Sequence, residues 1–255
     1  MKLRVKSIAW SLFMTLALGA LTSCEGIFDG IYDEPPMDLS FNEGFRPSSG
    51  AGAAPNRFVL MLQATEYDEW IYVNLHDRTL ERHPVPTALT GAWDGRSGWT
   101  YNEVKGTQFT PYKTVKTDAQ IDAKVWDLAV HHFDVKTNGG EVFETPYHSL
   151  QELPASSKAF DHETFTKDVW STTHAIVDLK EMMGFRVGYQ NTLINVPLTG
   201  WVTMDFSNPP PVYSTSDKVY LLRMTDGSCA ALRLLSYMSE AGTKGFLTVD
   251  VIYPY

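Results

Sequence analysis

Val125–Gly140 reads VWDLAVHHFDVKTNGG, two adjacent histidines in a run of apolar and β-branched residues, with Asp134 three positions after the first. The run is short, its 3.6-residue periodicity is weak, and it ends in Asn138-Gly139-Gly140, which marks it as a strand. Side chains alternate along a strand, so Trp126, Leu128, Val130, His132 and Asp134 are expected on one face. Asp127, Ala129, His131, Phe133 and Val135 then take the other. On this reading His131 and His132 point apart and cannot share one ion without a bulge. No Cys-x-x-Cys or spaced His/Asp pair nearby completes a metal shell. Each histidine is therefore expected to be buried or half-buried with one hydrogen-bond partner.

The same texture recurs on both sides. FVLMLQA, EWIYVNL, HAIVDLKEMM, GWVTMDFS, KVYLLRM, CAALRLLSYM and FLTVDVIYPY are each short, rich in β-branched or aromatic residues and bounded by turn formers. Asp226-Gly227 is a hairpin dipeptide, and Ala241–Gly245 (AGTKG) a second hairpin connection, so the last strands should run as an antiparallel meander. The fold class is all-β, a single antiparallel domain over residues 57–255. A net charge of -9 excludes the basic footprint of a nucleic-acid binder. No Gly-rich phosphate loop, H-E-x-x-H or G-x-S-x-G is present and no acid/base pair is marked, so the chain reads as a binding protein and not an enzyme.

The N-terminus sets the compartment. Lys2, Arg4 and Lys6 precede an apolar run from Ile8 to Leu21, too short for a spanning helix, that closes on Leu21-Thr22-Ser23-Cys24. This is a signal peptide over 1–23 with a lipobox, Cys24 being the residue that carries lipid. Residues 24–56, acidic and then Pro-, Gly- and Ser-rich, read as a flexible linker. The chain should be anchored to an outer membrane by lipid alone, displayed on the cell surface or on the periplasmic face. Cys229 would be the one remaining thiol, expected as a small core residue.

With these residues placed, WDLAVHHFDVKTNGG resembles the W-D-x-A-x-H core of the HmuY-like haem-binding lipoproteins. EYDEWIYVNL, the segment from Gly200 to Gly227 and the closing FLTVDVIYPY resemble further family segments in the same order. The resemblance implies a hand-like β domain that holds one haem between two projecting hairpins, with His131 part of the scaffold. It also implies capture of haem from host haemoproteins and delivery to a TonB-dependent outer-membrane transporter. In the best-known member a ligating histidine directly follows a Phe-Ser pair. Here Phe206-Ser207 is followed by Asn208, a poor axial ligand, so a histidine pair does not carry over. Other members use methionine thioethers. On that pattern the candidate ligands are Met204, four residues before Asn208 on the same strand face, and Met182 or Met183, next to the turn former Gly184. His174 and Asn208 are reserves, and Met224 belongs to the core. His76, His83, His148 and His162 read as solvated loop residues. The competing reading is an adhesin, or a binder of host protein or glycan, that keeps the fold without haem.

Overall fold

The computed structural model describes residues 41–48, 54–85, 101–102, 106–107, 110–115, 121–179, 186–205 and 212–255. In chain order, β1 (Gly44–Pro47) pairs with β2 (Arg57–Gln63), and β3 (Glu69–Asn74) returns as β4 (Thr79–Pro84). The two-residue strands β5 (Tyr101–Asn102) and β6 (Gly106–Thr107) pair with each other, and β7 (Thr110–Val115) follows. Next come β8 (Leu128–His131), β9 (Asp134–Thr137) and β10 (Glu141–Glu144). Two 3-10 turns, Leu150–Glu152 and Ser157–Phe160, lead to β11 (Thr166–Lys167) and β12 (Val169–Ser171). Then β13 (Ile176–Asp178), β14 (Arg186–Gln190) and β15 (Thr192–Ile194) precede a one-turn helix α1 (Val196–Thr199). The chain closes with β16 (Val202–Asp205), β17 (Val212–Thr215), β18 (Tyr220–Arg223), β19 (Cys229–Met238) and β20 (Lys244–Ile252).

A seven-stranded sheet ordered β1-β2-β20-β19-β18-β10-β11 faces a four-stranded sheet ordered β4-β3-β8-β9. Alternation builds the interface on one side. β2 buries Phe58, Leu60 and Leu62 while the residues between them stay half-exposed. These meet Ile71 and Val73 of β3, Val130 of β8 and Val249 of β20 in the main core. The four-stranded sheet is buried on its other face too, by Trp70, Tyr72, Trp126, Ala129 and Ile194. That double burial is why β8 reads as an unbroken apolar run. A third cluster, with Phe160, Leu221 and Cys229, closes the outer face of the seven-stranded sheet. Burial pushes the Cys229 thiol up to about 11, which leaves it inert, in its expected core role.

The all-β class and the closing meander hold, with the two expected hairpin connections in place. One pairing departs from the antiparallel expectation, since β7 runs parallel to β14. Strand β1 lies inside the segment 24–56 that reads as linker. Phe41 meets Phe246 edge-on and Phe45 packs on Phe58, so two aromatics in a Pro/Gly/Ser-rich stretch suffice to dock it on the edge of β2. The opening stretch is not one strand either. His132-Phe133 is a two-residue loop between β8 and β9, with His131 opposite Asp134.

The β19–β20 hairpin contains a position that only glycine tolerates. Gly245 has φ +87°, its carbonyl accepts the Ala64 N–H at 2.7 Å, and a Cβ there would lie 2.9 Å from the Ala64 carbonyl oxygen. Gly242 has φ +80° with nothing within 4 Å of a Cβ. Gly245→Ala should therefore lose roughly 2–4 kcal/mol, combining left-handed strain with a backbone clash, and Gly242→Ala only about 1 kcal/mol. Equal losses in chemical denaturation would contradict this account of the hairpin.

Candidate functional site

The tight β8–β9 loop changes what the two histidines can do. His132 takes φ 55°, on the left-handed side that a two-residue hairpin loop requires. Strand alternation therefore stops at His131. Instead of pointing apart, the two rings lie 5.6 Å centroid to centroid and both border one cavity. The His132 ring packs tilted against Tyr67, 3.7 Å centroid to centroid, and its Nδ1 lies 3.5 Å from the Tyr237 hydroxyl.

His131 is only 1% exposed. Its Nε2 lies 2.9 Å from the Tyr67 carbonyl, and because a carbonyl only accepts, Nε2 carries the hydrogen. Burial pushes this histidine down to about 4, so at neutral pH Nδ1 is a bare acceptor. It faces Asp134 Oδ2 across 4.0 Å. The same carboxylate oxygen accepts the Ala175 N–H at 2.9 Å, while Oδ1 has no protein partner. Burial pushes Asp134 up to about 7. The carboxyl thus joins the quoted hairpin to the residue just before β13. On the same face of the sheet, two residues further along β9, Lys136 is also buried. Its Nζ donates to Asp122 at 2.7 Å and to the Tyr72 hydroxyl at 3.1 Å, and lies 4.7 Å from the Trp70 ring centroid.

The cavity measures about 40 Å³. That admits a few waters and is far below the range of about 300–1,000 Å³ typical of ligand pockets. A large planar ligand would have to lie across its mouth. Met204 on β16 reaches this cavity, half-buried, directly opposite Tyr213 on β17. Tyr213 in turn stacks on Tyr237 at 5.6 Å, and Ile176 of β13 completes the rim. Two hairpins, β13–β14 and β16–β17, therefore meet at one aromatic, thioether-bearing recess. Burial pushes the Tyr67 hydroxyl up to about 12, so no tyrosinate donor is offered there.

The other sequence-derived candidates separate clearly. Met182, Met183 and Asn208 lie outside the described residues, as does Cys24. His174 is half-buried, with Nδ1 2.7 Å from the Ser171 hydroxyl, and does not border the cavity. Met224 is a core residue, 8% exposed, as expected. His83 sits on β4, against the expectation of a loop, with its ring edge-on to Tyr72. His76 is not simply solvated, since its two nitrogens approach Asp127 and Asp226 at 3.3 and 3.1 Å. Sequence reasoning missed Tyr67, Tyr213 and Tyr237, and missed the turn that brings His132 to the cavity. The available signal for His132 was its residue type, because histidine is enriched at positive φ.

The pair His131/Asp134 has opposing linkages. Asp134 keeps its proton in the fold up to about pH 7, whereas unfolded it releases it near 3.8, so its contribution to stability falls as pH rises through that window. His131 is neutral in the fold above about pH 4 but not below 6.5 when unfolded, so its contribution rises with pH. Asp134→Asn removes only the first. Relative to wild type the variant should gain roughly 2–4 kcal/mol between pH 4 and pH 8 in denaturant unfolding. A pH-independent difference would mean that the carboxyl is not held protonated.

Residues 66–250 match the family model described as HmuY protein. Among solved structures, a candidate lipoprotein from Bacteroides fragilis NCTC 9343 is 34% identical, with TM-score 0.61 over 84% of this chain and 96% of its own. A candidate HmuY-like haem-binding protein from Bacteroides vulgatus ATCC 8482 is 29% identical, with TM-score 0.64 over 84% of this chain and 99% of its own. The apo HmuY analogue of Tannerella forsythia, at 23% identity and TM-score 0.56 over 76% of this chain and 94% of its own, shares the fold. No curated protein matches. A family match spanning the opening hairpin, both hairpins at the recess and most of the closing meander places the chain in the HmuY family.

Proposed function

We propose that this chain is a haem-binding lipoprotein that holds the macrocycle across the mouth of the recess, with Met204 as one axial ligand. The observation that carries the reading is the position of Met204, a half-buried thioether among aromatic rings where two hairpins meet. A neutral sulfur donor with apolar neighbours suits a flat, largely apolar ligand with a central iron. His131 lies deeper, and His132 is held against Tyr67 and Tyr237. A cavity of about 40 Å³ has no room to bring a macrocycle down to them, so they serve the scaffold. The relatives add support, because one of them is described as HmuY-like and haem-binding.

Haem, when bound, would supply an iron that side chains of this protein would hold. On the β16–β17 side this chain offers Met204. On the β13–β14 side we assign the role to Met182 or Met183, which the sequence places between those strands. An iron held by two side chains of the protein would be closed to oxygen, which would suit capture and not catalysis. We further assign residues 1–23 to a lipoprotein signal peptide, Cys24 to lipidation, and the protein to the outer membrane, passing haem to a TonB-dependent transporter. No helix among the described residues is long and apolar enough to cross a membrane.

The test is an equilibrium titration of the purified chain with ferric haem and, after dithionite, with ferrous haem, followed in the visible. Thioethers are soft, neutral donors, so ferrous haem should bind more tightly and give resolved low-spin bands. Met204→Ala should weaken ferrous binding at least tenfold, about 1.4 kcal/mol, and shift the reduced spectrum toward high spin. Met224→Ala should leave the spectrum alone. An unchanged spectrum for Met204→Ala would remove it from the site, and no binding by wild type would favour the haem-free reading.

A further inference from the structure

The recess has a mouth whose charge is not explained by iron ligation. Tyr213 stands directly opposite Met204 in the β16–β17 pair and borders the same cavity. Across the Tyr213 ring lies Lys244, with Nζ 4.2 Å from the centroid, at the first residue of β20. Its backbone is fixed by pairing with Met238 and by the neighbouring Gly245, which docks on Ala64. The side chain is exposed and makes no ion pair with a carboxylate among the described residues. A cation–π contact of this kind limits the rotamers of a lysine without neutralising its charge, leaving the ammonium free to meet an anion.

Electrostatics makes that position matter. The chain carries a net charge of -9, which repels an anionic ligand at long range. The cavity lining itself contains no lysine or arginine, and its two histidines are kept neutral by burial. Lys244 thus places an ammonium against the ring of a tyrosine that lines the cavity, itself directly opposite Met204.

We propose that Lys244 is a specificity-determining residue that binds a peripheral carboxylate of a planar ligand seated on Met204 and Tyr213. The inference rests on the haem reading above and names the part of the ligand that this chain reads besides the metal, namely the propionate edge. A ligand with free carboxylates would be drawn to the rim and oriented by it. The same macrocycle with esterified propionates would keep the iron and the apolar face and lose the ammonium contact.

The test compares haem with haem dimethyl ester, titrated into the full chain as wild type, Lys244→Gln and Lys244→Arg at low and high salt. Lys244→Gln should weaken haem binding roughly threefold to tenfold, the range for one partly exposed charge-assisted contact, and leave ester binding unchanged. Its haem affinity should also lose most of its salt dependence, while Lys244→Arg keeps the preference for the free acid. Melting temperatures for each variant separate lost recognition from lost fold. Equal weakening for both ligands, or for neither, overturns the assignment of Lys244 while leaving the haem reading intact. Failure of wild type to bind either ligand overturns the haem reading, and this inference with it.

Discussion

Everything at the recess depends on a two-residue turn. Because the loop between β8 and β9 is only His132-Phe133, with His132 at φ 55°, the chain reverses inside the sheet instead of running through it. The reversal sets His131 against Asp134, turns His132 toward Tyr67, and delivers Asp134 to the Ala175 N–H before β13. A longer loop would release these constraints separately. In the tight form a single turn fixes the floor of the cavity and the root of one flanking hairpin together.

That floor is secured around one ring, Trp70. His131 donates to the Tyr67 carbonyl beside it, 5.2 Å centroid to centroid. Lys136, on the same face of the sheet, is enclosed by Trp70 and Tyr72 and paired with Asp122. Buried polar groups of this kind stabilise little when satisfied and are expensive when broken, so they specify one arrangement. The rigid part of the site is therefore the scaffold. The cavity-lining residues Met204 and Tyr213 are carried on a two-stranded ribbon of four residues a side.

The strands themselves were largely legible, and for physical reasons. β2 alternates cleanly, and Asp226-Gly227 announces the β18–β19 turn by supplying positive φ at Gly227. The opening hairpin was not legible, since it reverses at His-Phe with neither glycine nor asparagine, inside a run made apolar by burial on both faces. β1 escaped because its segment is poor in apolar residues, and two phenylalanines do the docking. Of the site, Met204 came from the family pattern. Tyr67, His132, Tyr213 and Tyr237 meet through contacts across more than 100 residues in places, which no local pattern encodes. Lys244 lay in a hairpin connection whose neighbour in space, Tyr213, is set by the fold.

The proposed function requires sulfur at the iron. X-ray absorption at the iron edge of the reduced, haem-loaded chain reads the axial atoms directly and independently of affinity. The account predicts sulfur scattering in the first shell, reduced by half in Met204→Ala. A first shell of nitrogen and oxygen alone, with the Met204→Ala signal unchanged, would contradict it.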